Sequence, residues 1–137
     1  MLMFYRFGIL VIAVALSFLG KGEPLPDKIP PEIITAFKTG NYRELGRRFN
    51  NSVELVVLEN ENVYSKTQAE IIMKDFFSKY PPVGFVVRHE ESREGLCYAI
   101  GRLTTKQASF RVVILLKTKG EEVIINQLRI EKDETAR

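Results

Sequence analysis

Four β-rich stretches follow one another between Val83 and Glu131: residues 83–93, 96–106, 109–118 and 122–131. Only Glu94-Gly95, Gln107-Ala108 and Lys119-Gly120-Glu121 separate them. Links this short join strands as hairpins, because a parallel crossover needs a dozen or more residues. The C-terminal half is therefore expected to be an antiparallel meander of four long strands. Its third strand reads F-R-V-V-I-L-L from Phe110 to Leu116 and is apolar on both faces. A strand of that kind needs cover on both sides. Strict alternation in the last strand points the same way, with Val123 and Ile125 on one face and Ile124, Leu128 and Ile130 on the other.

The cover for one face lies upstream. Pro30-Pro31 open a helix whose apolar side is Ile33, Ile34 and Phe37, and Gly40-Asn41 ends it. Asn41 then caps a second short helix with Tyr42, Leu45 and Phe49 inward and Arg47-Arg48 solvated. Residues 52–58 are strand-like, Glu59 to Asn62 read as a turn, and Val63 to Ser65 pair back as a short hairpin. A third helix follows, capped by Thr67 with Glu70 three residues on. Its apolar side is expected to be Ile71, Ile72, Phe76, Phe77 and Tyr80, and Pro81-Pro82 stop it. Helices on one face of a sheet leave the other face open, and a second copy of the chain is its simplest cover.

The N-terminus reads as an export signal. Arg6 precedes 13 uncharged residues, Phe7 to Leu19, and Gly20-Lys21-Gly22 close the segment. Thirteen helical residues rise about 20 Å, short of a ~30 Å hydrocarbon core. Residues 1–22 are thus expected to be a signal peptide, with an uncleaved signal anchor as the alternative. Either way the domain is exported, to the periplasm or beyond, with no membrane contact once the signal is removed. No cysteine near the signal end offers a lipid anchor. Residues 23–30 form a proline-rich tether, 31–131 one domain, and 132–137 a frayed tail.

Removing the signal also removes the basic excess. The 137 residues hold 20 Lys and Arg against 17 Asp and Glu, and Arg6 and Lys21 both fall in the signal. That leaves 18 against 17, so the sequence pI near 9.0 argues for no nucleic-acid partner. Cys97 is the single cysteine and His89 the single histidine. No internal disulfide can form, and Cys97 is expected to be a buried, inert thiol. A zinc site needs three or four N, S or carboxylate ligands, which one His and one Cys do not supply. No P-loop, dinucleotide fingerprint or calcium loop occurs, so no metal and no cofactor is called for.

The order of helix, short helix, hairpin, long helix and four long strands predicts an α+β fold. It is a cone-like curved antiparallel sheet, four long strands plus a short hairpin, with three N-terminal helices on one face. This order resembles the nuclear transport factor 2-like superfamily, which also holds ketosteroid isomerase and scytalone dehydratase. The stretches HEES-REG-LCYAIGRLTT, FRVVILLK and INQLRIEK look closer to one branch of it. They carry His89, Gly95, Tyr98, Gly101, Phe110, Arg111, Lys117, Gln127, Leu128 and Arg129. That branch is a family of short exported bacterial proteins, domain of unknown function 4783. The resemblance implies a fold and an exported location, and no reaction.

Superfamily enzymes, as the resemblance implies, place a carboxylate base or a histidine–aspartate pair inside the cone. Here His89 and Glu91 share a strand face at i, i+2. The polar residues that could orient a ligand in a cone are His89, Tyr98, Gln127 and Arg129. Such a ligand would be small, partly apolar or anionic, since a guanidinium grips a carboxylate in two parallel hydrogen bonds. The default for Arg111 and Arg129 is instead cross-strand pairing with Glu90 or Glu122. There is no acidic dyad and no third member to orient the lone histidine, so no catalytic residue is assigned. The leading expectation is a non-enzymatic exported module, binding a ligand or a protein, and a homodimer through the open sheet face. The alternatives are a small isomerase, dehydratase or hydrolase using the cone, and a dimeric scaffold whose cone is filled by side chains.

Overall fold

The structure, a computed structural model, describes residues 28–134. The signal at 1–22, most of the tether and the end of the tail lie outside the described residues. Helix α1 (Pro31–Thr39) starts with proline at its first position, where the missing N–H has no helical partner. It stops at Gly40, whose φ of 71° is the left-handed conformation that a glycine adopts without strain. Asn41 caps α2 (Tyr42–Arg48) by accepting the Glu44 N–H at 3.1 Å. Ile29, placed in the tether by its sequence neighbours, is buried in the core beside α1.

Strands β1 (Phe49–Val57) and β2 (Asn60–Ser65) form a hairpin with a two-residue turn, Leu58-Glu59. The turn is tighter and earlier than the polar run 59–62 suggests. Leu58 donates its N–H to the Ile130 carbonyl at 3.0 Å, which holds the turn against the end of the last strand. Helix α3 (Lys66–Lys79) is capped by Ser65 with Gln68, not by Thr67 with Glu70. The Ser65 hydroxyl accepts the Gln68 N–H and the Gln68 carboxamide accepts the Ser65 N–H, at 3.2 and 3.1 Å. The inward face keeps Phe76 and Phe77 of the expected set and is completed by Ala69 and Met73, in place of Ile71. Ala69, Met73, Phe76 and Phe77 point inward, and Ile71 is left 60% exposed.

The meander is as expected: β3 (Pro82–Arg93), β4 (Leu96–Thr105), β5 (Ser109–Lys119) and β6 (Glu122–Lys132) pair consecutively and antiparallel. The hairpin joins through β1, which runs parallel to β6, so the six-stranded order is β2-β1-β6-β5-β4-β3. Three helices plus this curved, open sheet make an α+β fold with the helices on one face. The core lies between them: Phe110, Val112, Ile114 and Leu116 of β5 and Ile125, Leu128 and Ile130 of β6 are fully buried against the helices.

Register shifts set which residues face away from the helices, and two of them bear on the candidate residues. The β5–β6 register shifts between Leu115 and Leu116, leaving Asn126 as an extra residue on β6. The Asn50 carboxamide donates to the Asn126 side-chain oxygen at 3.2 Å, so the extra residue is not orphaned. The bulge reverses the alternation expected from sequence. Val123 and Ile125 share the helix side with Leu128 and Ile130, while Gln127 and Arg129 share the other side with Ile124. A second irregularity between Val87 and His89 makes Arg88 the extra residue of β3 and puts His89 opposite Ile100.

Candidate functional site

The interior of the cone is occupied by side chains. Phe37 of α1 stacks on Phe85 of β3, with ring centroids 4.8 Å apart, and meets Phe77 edge-on at 6.3 Å. Phe76 and Tyr80 close on Phe110 of β5 at 5.1 and 4.9 Å. Rings in these offset and edge-to-face arrangements add about 0.5–1.5 kcal/mol each to the area they bury. An open groove of about 330 Å³ remains at the rim, between α3 and the tip of the β1–β2 hairpin. Leu58, Ile71, Ile72, Phe76 and Tyr80 give it an apolar floor. Its charged groups include Asp75 and Lys79, which pair with each other at 3.8 Å. None of the four candidate ligand residues reaches it, whereas Gln127 and Arg129 line a separate open groove of about 290 Å³ with Glu54, Val56, Glu61 and Val63.

All four lie instead on the helix-free face of the sheet, in two adjacent cross-strand rows. One row runs Glu91, Tyr98, Leu115, Gln127, Glu54 and Val63 from β3 to β2. The next runs His89, Ile100, Val113, Arg129, Val56 and Glu61. Sequence reasoning thus finds four residues of one surface, and the structure puts that surface on the side of the sheet away from the helices. Tyr98 is 38% exposed and Val113 only 7%, so the rows grade from open flanks to a covered middle. His89 Nε2 lies 3.4 Å from a Glu91 carboxylate oxygen, the i, i+2 pair visible in the sequence. Both side chains are more than half exposed, which makes this a surface contact and not a buried base. Arg129 pairs along its own strand with Glu131 at 3.6 Å, and not with Glu90 or Glu122.

A third row adds Val86, Arg102, Arg111 and Glu131. Two cations directly opposite, Arg102 and Arg111, are unfavourable neighbours. The Arg102 Nε is buried and has no hydrogen-bond partner. Val113, only 7% exposed, sits in register between Ile100 and Arg129. Sequence reasoning misses the acidic side of the face, Glu54 and Glu61. They enter it only through the parallel β1–β6 pairing, and no local pattern announces that pairing.

Comparison with known proteins places this face in context. The family model described as Domain of unknown function (DUF4783) matches residues 30–131. The chain belongs to this family. A DUF4783 protein from Bacteroides ovatus is 35% identical, with a TM-score of 0.74 over 79% of this chain and 98% of that one. Another from Bacteroides fragilis is 34% identical, with a TM-score of 0.72 over 77% of this chain and 100% of that one. An NTF2-like protein of unknown function from Silicibacter pomeroyi shares the fold at a TM-score of 0.55 and 10% identity, over 74% and 87% of the two chains. The family therefore shares the NTF2-like fold. A search of curated proteins finds no match. Among the described residues, no group of three or more His, Cys, Asp or Glu is placed to hold a metal. No helix among them is long and apolar enough to cross a membrane. Cys97 is buried in β4.

Proposed function

We propose that this DUF4783 protein is an exported, non-enzymatic interaction module that works as a homodimer through the helix-free face of its sheet. The observation that supports it is the apolar cluster of Tyr98, Ile100, Val113 and Leu115 on β4 and β5, with Val56 and Val63 beyond Gln127 and Arg129 of β6 and charged residues around it. An apolar centre with a polar rim is the anatomy of a protein interface. Six strands at ~4.8 Å spacing, paired over about eight residues, present a plane of roughly 600 Å² before side-chain relief. A standard interface takes ~800 Å² per partner, so the face has the right scale. The aromatic packing between α1, α3, β3 and β5 favours this reading over a cone ligand. Export rests on the order of charge and hydropathy in residues 1–22.

Light scattering on the purified chain and on Leu115→Glu tests the reading. The expected result is a dimer mass for the wild type and a monomer for the variant, with the same far-UV circular dichroism. A wild-type chain still monomeric at ~100 μM overturns the proposal.

A further inference from the structure

The charge on the helix-free face divides at the centre of the sheet. The rows place Glu122, Glu131, Glu54 and Glu61 on β6, β1 and β2, against Arg129 alone. They place Arg93, Arg102, Arg111, Lys117 and Lys119 on β3, β4 and β5, against Glu91 alone. One half of the face thus carries a net charge of −3 and the other +4, and the line between them falls between β6 and β5. This is where the sheet order β2-β1-β6 | β5-β4-β3 has its midpoint.

A face-to-face dimer with two-fold symmetry has two simple choices of axis. An axis across the strands lays each strand on its own copy, so five cations meet five cations. An axis along the strands, between β5 and β6, lays β6 on β5, β1 on β4 and β2 on β3. It also keeps every row on itself, because rotation about a line preserves position along that line. Glu131 then faces the second copy's Arg111, Glu61 faces the second copy's His89, and Val56 meets the second copy's Ile100. From this geometry we infer that the partner of the helix-free face is a second copy of this chain whose two-fold axis runs along the strands, acidic half on basic half. The inference rests on the dimer reading above and adds the orientation and the selection rule. The Arg102–Arg111 juxtaposition, unfavourable in one chain, gains an opposing carboxylate in this arrangement. Like-charge contact is the device that excludes the other axis. Residual twist between packed sheets, about 30°, displaces the corners and leaves the central rows in place.

Charge inversion separates this from every other arrangement. Glu54→Lys with Glu61→Lys makes both halves basic and is expected to weaken self-association by at least ~10-fold in Kd, an effect that shrinks at high salt. Adding Arg93→Glu, Arg111→Glu and Lys117→Glu to that chain reverses the sign of both halves. The inverted chain is expected to dimerise again with itself and not with wild type, because wild-type acid would then meet acid. An axis across the strands requires the opposite: a mixed dimer of inverted and wild-type chains, formed in preference to either self-dimer. That result overturns the inference. So does a dimer that Leu115→Glu abolishes and no charge change affects, which leaves the homodimer standing and removes only its axis. A monomeric wild type overturns both. Where Arg111→Glu lowers the melting temperature, Lys119→Glu in its place carries the same inversion.

Discussion

Alternate residues of β5 live in two different environments a few ångströms apart. Phe110, Val112, Ile114 and Leu116 face the helices and are fully buried, in contact with rings and aliphatic chains from α1, α3 and the sheet. Arg111, Val113, Leu115 and Lys117 face away, and Val113 owes its low exposure to neighbours in its own sheet. Burial by another layer fixes shape, because a cavity left there is filled only by moving a helix. A face with no helix over it leaves a surface that can be re-covered. The first face holds the fold together, and the second is free to be a working surface without endangering it.

The largest test of that contrast is Phe110→Ala beside Arg111→Ala. The core-facing change should destabilise the domain by about 3–5 kcal/mol in chemical denaturation, through lost transfer energy and a cavity among Phe76 and Tyr80. The outward change should stay within about 0.5 kcal/mol. Equal losses would mean that the two faces are not distinct layers. Gly101 offers a finer test from β4. A Cβ there would sit 2.5 Å from the Phe85 ring and 3.1 Å from the Val86 carbonyl, and that ring is held by its stack on Phe37. Gly101→Ala should therefore lower stability by about 1–3 kcal/mol, read as a shift of the denaturation midpoint. No change would show that the aromatic stack has room to move.

Leu115→Ala sharpens the comparison in a different way. In dilute solution its loss should be near ~1 kcal/mol, smaller than for the adjacent, fully buried Ile114→Ala at about 2–5 kcal/mol. If the helix-free face is paired, the wild-type melting temperature rises with protein concentration and that of Leu115→Ala rises less. A concentration-independent melt for both removes the pairing from the account. The smallest effect belongs to Arg129→Lys. Its ion pair with Glu131 is part-exposed, 38% and 47% for the two side chains, so keeping the charge should hold stability within a few tenths of a kcal/mol. A loss above ~1 kcal/mol in thermal or chemical denaturation would reveal a second, buried role for the guanidinium.

The segments of this fold are largely legible in the amino-acid order. Glu94-Gly95 marks a hairpin, Pro31 and Gly40 bracket a helix, and the four long strands are named by β-branched and aromatic content. Phase is what misleads. The cap of α3 lies at Ser65 because Gln68 reciprocates its hydrogen bond, whereas Thr67 with Glu70 offers the same chemical pattern two residues later. Ile71, counted with the apolar side from sequence, is a rim residue of the groove, because Ala69 and Met73 fill the face packed on the sheet. Asn126-Gln127, two polar residues in succession inside an apolar strand, is the available signal for the β6 bulge. Regular alternation carried through it puts Gln127 and Arg129 on the face of Val123 and Ile125. Arg88 carries no comparable signal.

Local chemistry in the chain determined where strands and helices form, which residues can cap or turn, and that zinc, disulfide and nucleotide motifs are missing. These depend on neighbours within a few positions. The tertiary structure alone decided that β1 runs parallel to β6, which side of the meander the helices cover, and hence that His89, Tyr98, Gln127 and Arg129 share a face with Glu54 and Glu61. The physical reason is the period of a strand. Side chains alternate every residue, so one inserted residue inverts every assignment beyond it, and the partner that stabilises the insertion, here Asn50 for Asn126, lies 76 positions away.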